Sequence, residues 1–397
     1  MENVSATVVV LLALVAGIAA GSYTGALETL AAVLGSLWVN ALRMTVLPLV
    51  TALLITSTAG LRPGEPGKTI GRTLLLFLGM TAAAGMLAAL VAPAALAQLS
   101  LTSVEREALR SAWKAPGKPP SFAAWLTGVI PVNPVAAAAE GNMLGVIVFA
   151  VTLGLALGTV PREKSGAVVA FFESIAAATQ VILRWVLAAA PLGVLALGYT
   201  LARAGRGAVG ALGFYLMLLI AIFLLVLAGL YLLIAVARPV PWLAFARAVL
   251  PAQVTAFGSR SSLAAMPLLV RAAEHDLSLN AAKVGLALPL AMALLRISAP
   301  CSQIVAVLFT ARVFGVALGP LEVAWAAVMA ILLSFSVPGV PNGSFLIMMP
   351  LFETMGVPVE AIGLLLAIDM APDLFKTVTN VTAHLAAVCL LSTDHQR

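Results

Sequence analysis

Charged residues are scarce in this sequence. Asp, Glu, Lys and Arg together fill 10% of its 397 positions, whereas a soluble globular chain carries about 25%. Apolar residues make up 62% and the mean hydropathy is +1.10, so an ordinary soluble domain is excluded. The net charge of +6 is spread over loops and ends and forms no basic stripe, so nucleic acid is not expected as a partner. The expected partner is the lipid bilayer, whose cytoplasmic leaflet is anionic.

Cysteine is nearly absent, with only 2 in the chain. Cys301 and Cys389 both lie in apolar segments and lack metal-ligand spacing, so we expect neither a disulfide framework nor a metal site. Residues 1–7 lack the basic start of a secretory signal, which favours a retained first span. Ser261 has no assignable histidine partner, so we expect no enzyme and no cofactor.

Long apolar runs are what the sequence does have. They are continuous and roughly 20 residues long, as in membrane-spanning helices, and do not alternate as barrel strands do. Because backbone groups in lipid must pair internally, we predict an all-α polytopic membrane protein. Helix breakers at 131–134 and 189–193 predict that the fourth and fifth spans are interrupted. The candidate spans are residues 6–26, 34–60, 70–98, 122–160, 168–202, 208–237, 281–312 and 358–391.

Two further segments are too interrupted to be plain spans. Residues 243–275 contain AFGSRSSLAAMP, and residues 320–356 contain SFSVPGVPNGSF. Each has two apolar arms around a polar break, and an arm of about 12–15 residues reaches only partway across a bilayer. We therefore predict two re-entrant helical hairpins, although ordinary kinks are the alternative. A third interruption, LLRISAPC at 294–301, strengthens the prediction, because paired broken segments are typical of transporter binding sites.

The stretch AIDMAPDLFKTVTNVTAHL (367–385) contains charged and polar residues within the last candidate span. On a continuous helix, five of them fall within about 80° of arc. Such a stripe must face protein or water, because charges are costly in lipid. A purely structural ion pair is the alternative. The five residues are Asp369, Asp373, Lys376, Asn380 and His384.

Two arginines also lie inside apolar segments. Arg260 stands in GSRSS beside Ser261 and Ser262, and a guanidinium with hydroxyls and turn amides suits a carboxylate ligand. Its alternative is an arginine that reaches the membrane interface. Arg296 lies in the middle of its segment, and a buried arginine there needs an anionic partner or a cage of carbonyl groups.

The chain resembles the glutamate-transporter homologues, the dicarboxylate/amino acid:cation symporters. The resemblance covers nearly the whole chain, and its landmarks occur in the family's order. They are MTVLPLVTALLI (44–55), VIPVNPVAAAAEGNMLGVIVFAVTLGLAL (129–157), SRSS (259–262), LPL (288–290), GVP (339–341) and D-x-x-x-D-x-x-K-T-x-x-N (369–380).

This resemblance implies a homotrimer in the plasma membrane, here a bacterial inner membrane. Each protomer would have eight transmembrane helices and two re-entrant hairpins. Residues 1–68 and 101–207 would form the scaffold that holds the trimer. Residues 69–100 and 208–397 would form an elevator-type transport domain, with the second hairpin as the gate.

The resemblance also implies roles for single residues. Ser261 and Ser262 match positions that meet a substrate carboxylate, Asp373 matches the acid that binds the amino group, and Asn380 matches the amide that holds the backbone end. Lys376 stands where acidic-amino-acid members have arginine, so the charge remains but the bidentate fork is lost. The full predicted substrate-binding set is Arg260, Ser261, Ser262, Val340, Pro341, Asn342, Gly343, Asp373, Lys376, Thr377 and Asn380.

The sequence departs from the family at the sodium sites. The sodium motif Asn-Met-Asp-Gly-Thr is replaced by LRISA at 295–299, and His384 replaces a sodium-ligating aspartate. The family's threonine and serine ligands have no match around 76–77. Because Na⁺ needs clustered oxygen ligands, we expect no sodium requirement.

Two replacements for sodium stay open at this point. Arg296 supplies a fixed positive charge, or His384 carries a proton together with Asp369 or Asp373, since imidazole titrates near neutral pH. The alternative for His384 is a packing residue bonded to a carbonyl. The expected function is secondary-active transport of an acidic amino acid such as aspartate or glutamate, proton-coupled or by exchange. C4-dicarboxylate or neutral amino acid transport are the alternatives, and an anion channel is the rival class.

Overall fold

The computed structural model describes residues 2–59, 67–100, 102, 130–139, 143–203, 206–335, 337, 344, 347–359 and 361–392. Within these residues the regular structure is helical, without strands. The helices are α1 (Glu2–Tyr23), α2 (Glu28–Ala59), α3 (Gly67–Leu96), α4 (Pro134–Ala139), α5 (Met143–Thr159), α6 (Arg162–Ala188), α7 (Ala190–Arg203), α8 (Arg206–Ala237), α9 (Trp242–Ser259), α10 (Ser262–Arg271), α11 (Ala281–Leu294), α12 (Ser298–Phe314), α13 (Pro320–Ser334), α14 (Met349–Thr354), α15 (Ala361–Ile368) and α16 (Met370–Ser392).

The helices agree with the predicted membrane class. Five helical stretches are long and apolar enough to cross a bilayer by length and composition: Gly71–Leu96, Arg162–Val186, Gly210–Ala237, Lys283–Phe314 and Ala371–Ser392. Shorter apolar helices accompany them. The count of eight spans and two re-entrant hairpins stays a prediction.

The predicted interruptions correspond to helix ends. One helix ends at Ala188 and the next begins at Ala190, and the Arg296 segment separates α11 from α12. The first predicted hairpin has α9 and α10 as its arms, joined at Arg260 and Ser261, and α10 continues into a π-helical turn, Ala272–Asp276. In each case the local sequence contains Pro, Gly or Ser, which weaken the helical hydrogen-bond ladder.

The described helices pack in two groups. In the first, α1 lies against α7, and α2 lies against α5, α6 and α7. In the second, α16 is central and contacts α8, α9 and α11, while α12 contacts α3 and α13. The division into a scaffold and a transport domain, and movement of one against the other, stay predictions.

Small residues let α1 and α7 approach closely. A Cβ atom added at Gly17 would fall on the carbonyl oxygen of Leu195. The Tyr199 hydroxyl donates to the Thr24 carbonyl at 2.5 Å and accepts from the Leu27 amide at 3.1 Å, which fixes the α1–α2 turn on α7. Glycine is therefore needed where the two backbones meet.

We expect Gly17→Ala to lower the stability of the protein. The added methyl group meets backbone atoms, which cannot turn aside as a flexible side chain could, and overpacking of this kind costs about 1–3 kcal/mol. Thermal unfolding in detergent measures the loss. Gly213→Ala is the matched control, because a Cβ atom there has open space. Equal melting temperatures for the two variants would contradict the close approach.

Candidate functional site

The polar residues of the last predicted span are enclosed by protein. Asp369 and His384 are 0% exposed, and Asp373, Lys376 and Asn380 are at most 6% exposed. They lie on or beside α16, the helix at the centre of the second group. Because an intramembrane charge needs protein or water around it, this burial accounts for polar residues in an apolar chain.

The predicted continuous helix over residues 367–385 is wrong at one point. The helix stops at Ile368, Asp369 lies in a turn, and α16 begins at Met370. Pro372 supplies the physical reason, because it cannot donate the backbone hydrogen bond that a continuous helix would require. The ladder resumes when the Asp373 amide donates to the Asp369 carbonyl at 2.8 Å.

Two carboxylates share one lysine in this region. The Lys376 ammonium donates to Asp369 Oδ2 at 2.5 Å and lies 3.6 Å from Asp373 Oδ1. Among the described residues, Asp369 Oδ1 and Asp373 Oδ2 have no hydrogen-bond partner. Asp373 Oδ2 is therefore a buried acceptor that a positively charged ligand group could satisfy.

The junction of α9 and α10 lies beside this carboxylate pair. The rings of Phe257 and Phe375 pack edge to face with centroids 5.7 Å apart, which places α9 against α16. Arg260 adopts a left-handed backbone conformation, with φ of 52°, and its charge acts on Asp369. Ser261 caps α10 by accepting from the Ala264 amide at 3.3 Å.

The Ser261 cap determines which hydrogen-bonding groups of the α9–α10 junction remain available to a ligand. Ser261 uses its oxygen for the cap, so its hydroxyl hydrogen is the donor that remains. Ser262 begins α10 and is buried. The junction therefore combines an arginine, serine hydroxyls and a helix N-terminus, a set that favours an anionic ligand group.

Helix α16 also closes the interruption between α11 and α12. Asn380 Oδ1 accepts from the Ser298 amide at 3.1 Å and from the Ser298 hydroxyl at 2.9 Å. His384, one turn later, bonds through Nε2 to the Leu295 carbonyl at 3.0 Å. Asn380 thus caps the start of α12, and its NH₂ group remains available for an acceptor. Sequence reasoning missed Ser298 as its partner.

Arg296 lies within the interruption and is 8% exposed. No carboxylate among the described residues lies within salt-bridge distance of it, and its Nε atom has no hydrogen-bond partner there. Its charge acts on His384. The structure does not bring His384 to the acids, since Asp373 lies three turns before it, roughly 16 Å along the helix axis.

The remaining predicted site residues have separate outcomes. Thr377 donates its hydroxyl hydrogen to the Asp373 carbonyl at 2.7 Å and so is used within α16. Val340, Pro341, Asn342 and Gly343 lie outside the described residues. The Gln303 side chain, on α12, donates to the Ser344 carbonyl at 3.4 Å. Ser344, which follows these four residues in the chain, therefore lies beside α12.

A buried polar network that sequence reasoning missed links three helices. The Gln253 amide donates to the Thr382 hydroxyl at 2.7 Å and to the Tyr231 hydroxyl at 2.9 Å. These residues belong to α9, α16 and α8. Their distance in sequence gives no sign of contact, and the network holds the first predicted hairpin against the central helix.

Comparisons with known proteins find similarity over nearly the full length of the chain. The model of the sodium:dicarboxylate symporter family matches residues 6–393. The chain is 28% identical to a proton/sodium-glutamate symport protein of Bacillus subtilis, over 92% of this chain and 86% of the relative. It is 31% identical to the neutral amino acid transporter B(0) of Homo sapiens, over 90% and 72%. It is 28% identical to a C4-dicarboxylate transport protein of Rhizobium etli, over 96% and 87%.

Proposed function

The chain belongs to the sodium:dicarboxylate symporter family, and we propose on that basis that it is a secondary-active amino acid transporter. The observation that supports an amino acid is Asp373, whose Oδ2 atom is buried without a hydrogen-bond partner among the described residues. A substrate ammonium group supplies the missing donors and the opposite charge. A dicarboxylate has no such group, and its charge would be repelled there.

An acidic amino acid is the first candidate substrate. The buried core contains the two aspartates, Lys376 and Arg296, and Arg260 lies beside them. With three positive and two negative side chains, this set is balanced by a ligand with one net negative charge, as aspartate and glutamate have. The side-chain carboxylate would lie at the Lys376 end.

A neutral amino acid is the second candidate, and one contact favours it. Lys376 is already bonded to Asp369 at 2.5 Å. Its ammonium group has three donors on one nitrogen, and it already lies against both Asp369 and Asp373. If that bond persists in the transport cycle, the charge of Lys376 is compensated by Asp369, and a neutral substrate side chain can lie beside it.

Transport would proceed by an elevator motion. Helices α3 and α8–α16 would carry the substrate across the membrane against α1, α2 and α5–α7, within a homotrimer in a bacterial inner membrane. The α9–α10 junction would cover one side of the substrate, and the second predicted hairpin would act as the gate on the other. Burial between these covers excludes water and strengthens each charged contact.

Uptake by reconstituted protein tests this function. Proteoliposomes would be offered aspartate, alanine, serine and succinate under identical gradients. We expect uptake of amino acids, with aspartate preferred. Uptake of succinate alone would contradict the proposal, and a conductance independent of any substrate would instead support the rival anion channel.

Transport should not require sodium. Side chains at the family's sodium motif include Leu295, Ile297 and Ala299, which have no oxygen ligands for Na⁺. The Leu295 carbonyl already bonds to His384. We expect equal initial uptake rates in sodium and in choline medium. Rates that depend on an imposed sodium gradient would contradict this expectation.

A proton gradient imposed in the same vesicles separates two modes of energisation. Accumulation driven by an inward proton gradient would indicate proton coupling. Uptake that responds only to amino acid on the opposite side would indicate exchange. Potassium and valinomycin clamp the membrane potential, so the proton gradient is the only variable.

A further inference from the structure

We propose that the guanidinium of Arg296 binds the main-chain carboxylate of the transported amino acid. This assignment rests on the proposed function and gives Arg296 a direct contact with substrate. It follows from a buried charge without a counterion in the described part of the chain, from the groups around that charge, and from the donors at the start of α12.

Arg296 is a buried cation that has no compensating acid among the residues that the structure describes. It is 8% exposed, and within the described part of the chain no carboxylate lies close enough for a salt bridge. Asp369 and Asp373 both lie against Lys376. An isolated buried charge is strongly unfavourable unless an opposite charge or several acceptors surround it. The protein thus has a place for an anion.

The groups beside Arg296 are poor substitutes for that anion. The carbonyls of Ala291, Leu294 and Leu295 already accept hydrogen bonds, from the Leu295 amide, the Arg296 amide and the His384 ring. A carbonyl oxygen only accepts, so His384 Nε2 must be the donor. The imidazole is therefore fixed in orientation, and it contributes no negative charge.

Other donors for an anion lie close by in the chain. α12 begins two residues after Arg296 and runs for 17 residues, so its N-terminus carries a partial positive charge. The Ser298 amide and hydroxyl hold Asn380 by its oxygen. Because the oxygen of the Asn380 side-chain amide is used in these bonds, its NH₂ group remains available to an acceptor. Arginine, amide and helix terminus are together a set suited to a carboxylate.

The position of Asn380 also suits a substrate whose ammonium group binds at Asp373. Asn380 lies two turns after Asp373 on α16, on the same face and about 10 Å further along the axis. Side chains reaching inward from both positions can bracket one amino acid. Asp373 would hold its ammonium group, while Arg296 and Asn380 would hold its carboxylate. A fixed guanidinium then supplies the positive charge that a coupled cation would otherwise bring.

A comparison of amino acids with their α-amides tests the contact. Binding of aspartate, alanine and the two α-amides would be measured by calorimetry in detergent, for the wild type, Arg296→Gln and Arg296→Lys. Arg271→Gln is the matched control, because Arg271 is exposed at the end of α10. We expect Arg296→Gln to weaken amino acid binding about 10- to 100-fold and to leave α-amide binding unchanged. Arg296→Lys should retain part of the preference for the free carboxylate.

Each alternative result has a definite meaning. An equal loss for amino acids and α-amides, or no loss for either, would overturn the assignment of Arg296 to the carboxylate. Failure of the wild type to bind any amino acid would overturn the proposed function, and this inference with it. Thermal unfolding reports whether each variant folds. If Arg296→Gln does not fold, the ratio measured for Arg296→Lys decides, and a ratio equal to that of the wild type overturns the assignment.

Discussion

Replacing Asp373 with asparagine is expected to lower amino acid affinity by about 100-fold or more, because one partner of a buried charge pair is removed. The substitution keeps the shape of the side chain and one acceptor oxygen. It removes the negative charge whose Oδ2 atom lacks a hydrogen-bond partner within the described structure. Binding in detergent and uptake in vesicles should both report the loss.

Two comparisons make this prediction specific. Asp276→Asn changes an exposed acid at the end of the π-helical turn after α10 and should leave binding unchanged. Succinate binding by Asp373→Asn should be no weaker than in the wild type, since a repelling charge has been removed. Unchanged amino acid affinity in Asp373→Asn would show that the substrate ammonium group is bound elsewhere.

Replacing Lys376 with methionine is expected to have the largest effect on stability. Asp369 is fully buried and bonded to Lys376, so the substitution leaves buried carboxylates without their cation. Removal of one partner of a buried ion pair costs about 3–5 kcal/mol. Thermal unfolding in detergent, and the fraction of protein that remains monodisperse, measure this loss.

A second substitution isolates the electrostatic origin of that loss. Asp369→Asn in the Lys376→Met background removes one of the two carboxylates that have lost their cation, and we expect much of the stability to return. Lys376→Arg keeps the positive charge and should remain close to the wild type. Full stability of Lys376→Met alone would mean that Asp369 is not ionised beside Lys376.

The sequence was informative wherever a local cause sets the structure. Length and hydropathy predicted membrane helices, since a span is a property of one segment. Pro, Gly and Ser predicted the interruptions at Ala189, at Arg260 and in the Arg296 segment, since they act on the adjacent backbone. The cost of charge in lipid predicted that the polar residues of the stretch 367–385 would face protein or water, and the structure encloses them in protein.

The sequence did not predict hydrogen bonds between residues that lie far apart along the chain. Asn380 bonds to Ser298, His384 to Leu295 and Gln253 to Thr382. These pairs depend on the register between packed helices, and one sequence contains no direct record of that register. A local effect was also underestimated, because the helix is interrupted beside Pro372. Asp369, two turns from Lys376, lies closer to it than Asp373 does.

Solute counterflow measures amino acid transport itself. Vesicles loaded with unlabelled aspartate would be placed in sodium-free medium with a trace of labelled aspartate, for the wild type and Asp373→Asn. We expect transient accumulation of label in wild-type vesicles and none in the variant. No counterflow with aspartate, alanine or serine, together with rapid counterflow of succinate or a strict need for sodium, would contradict it.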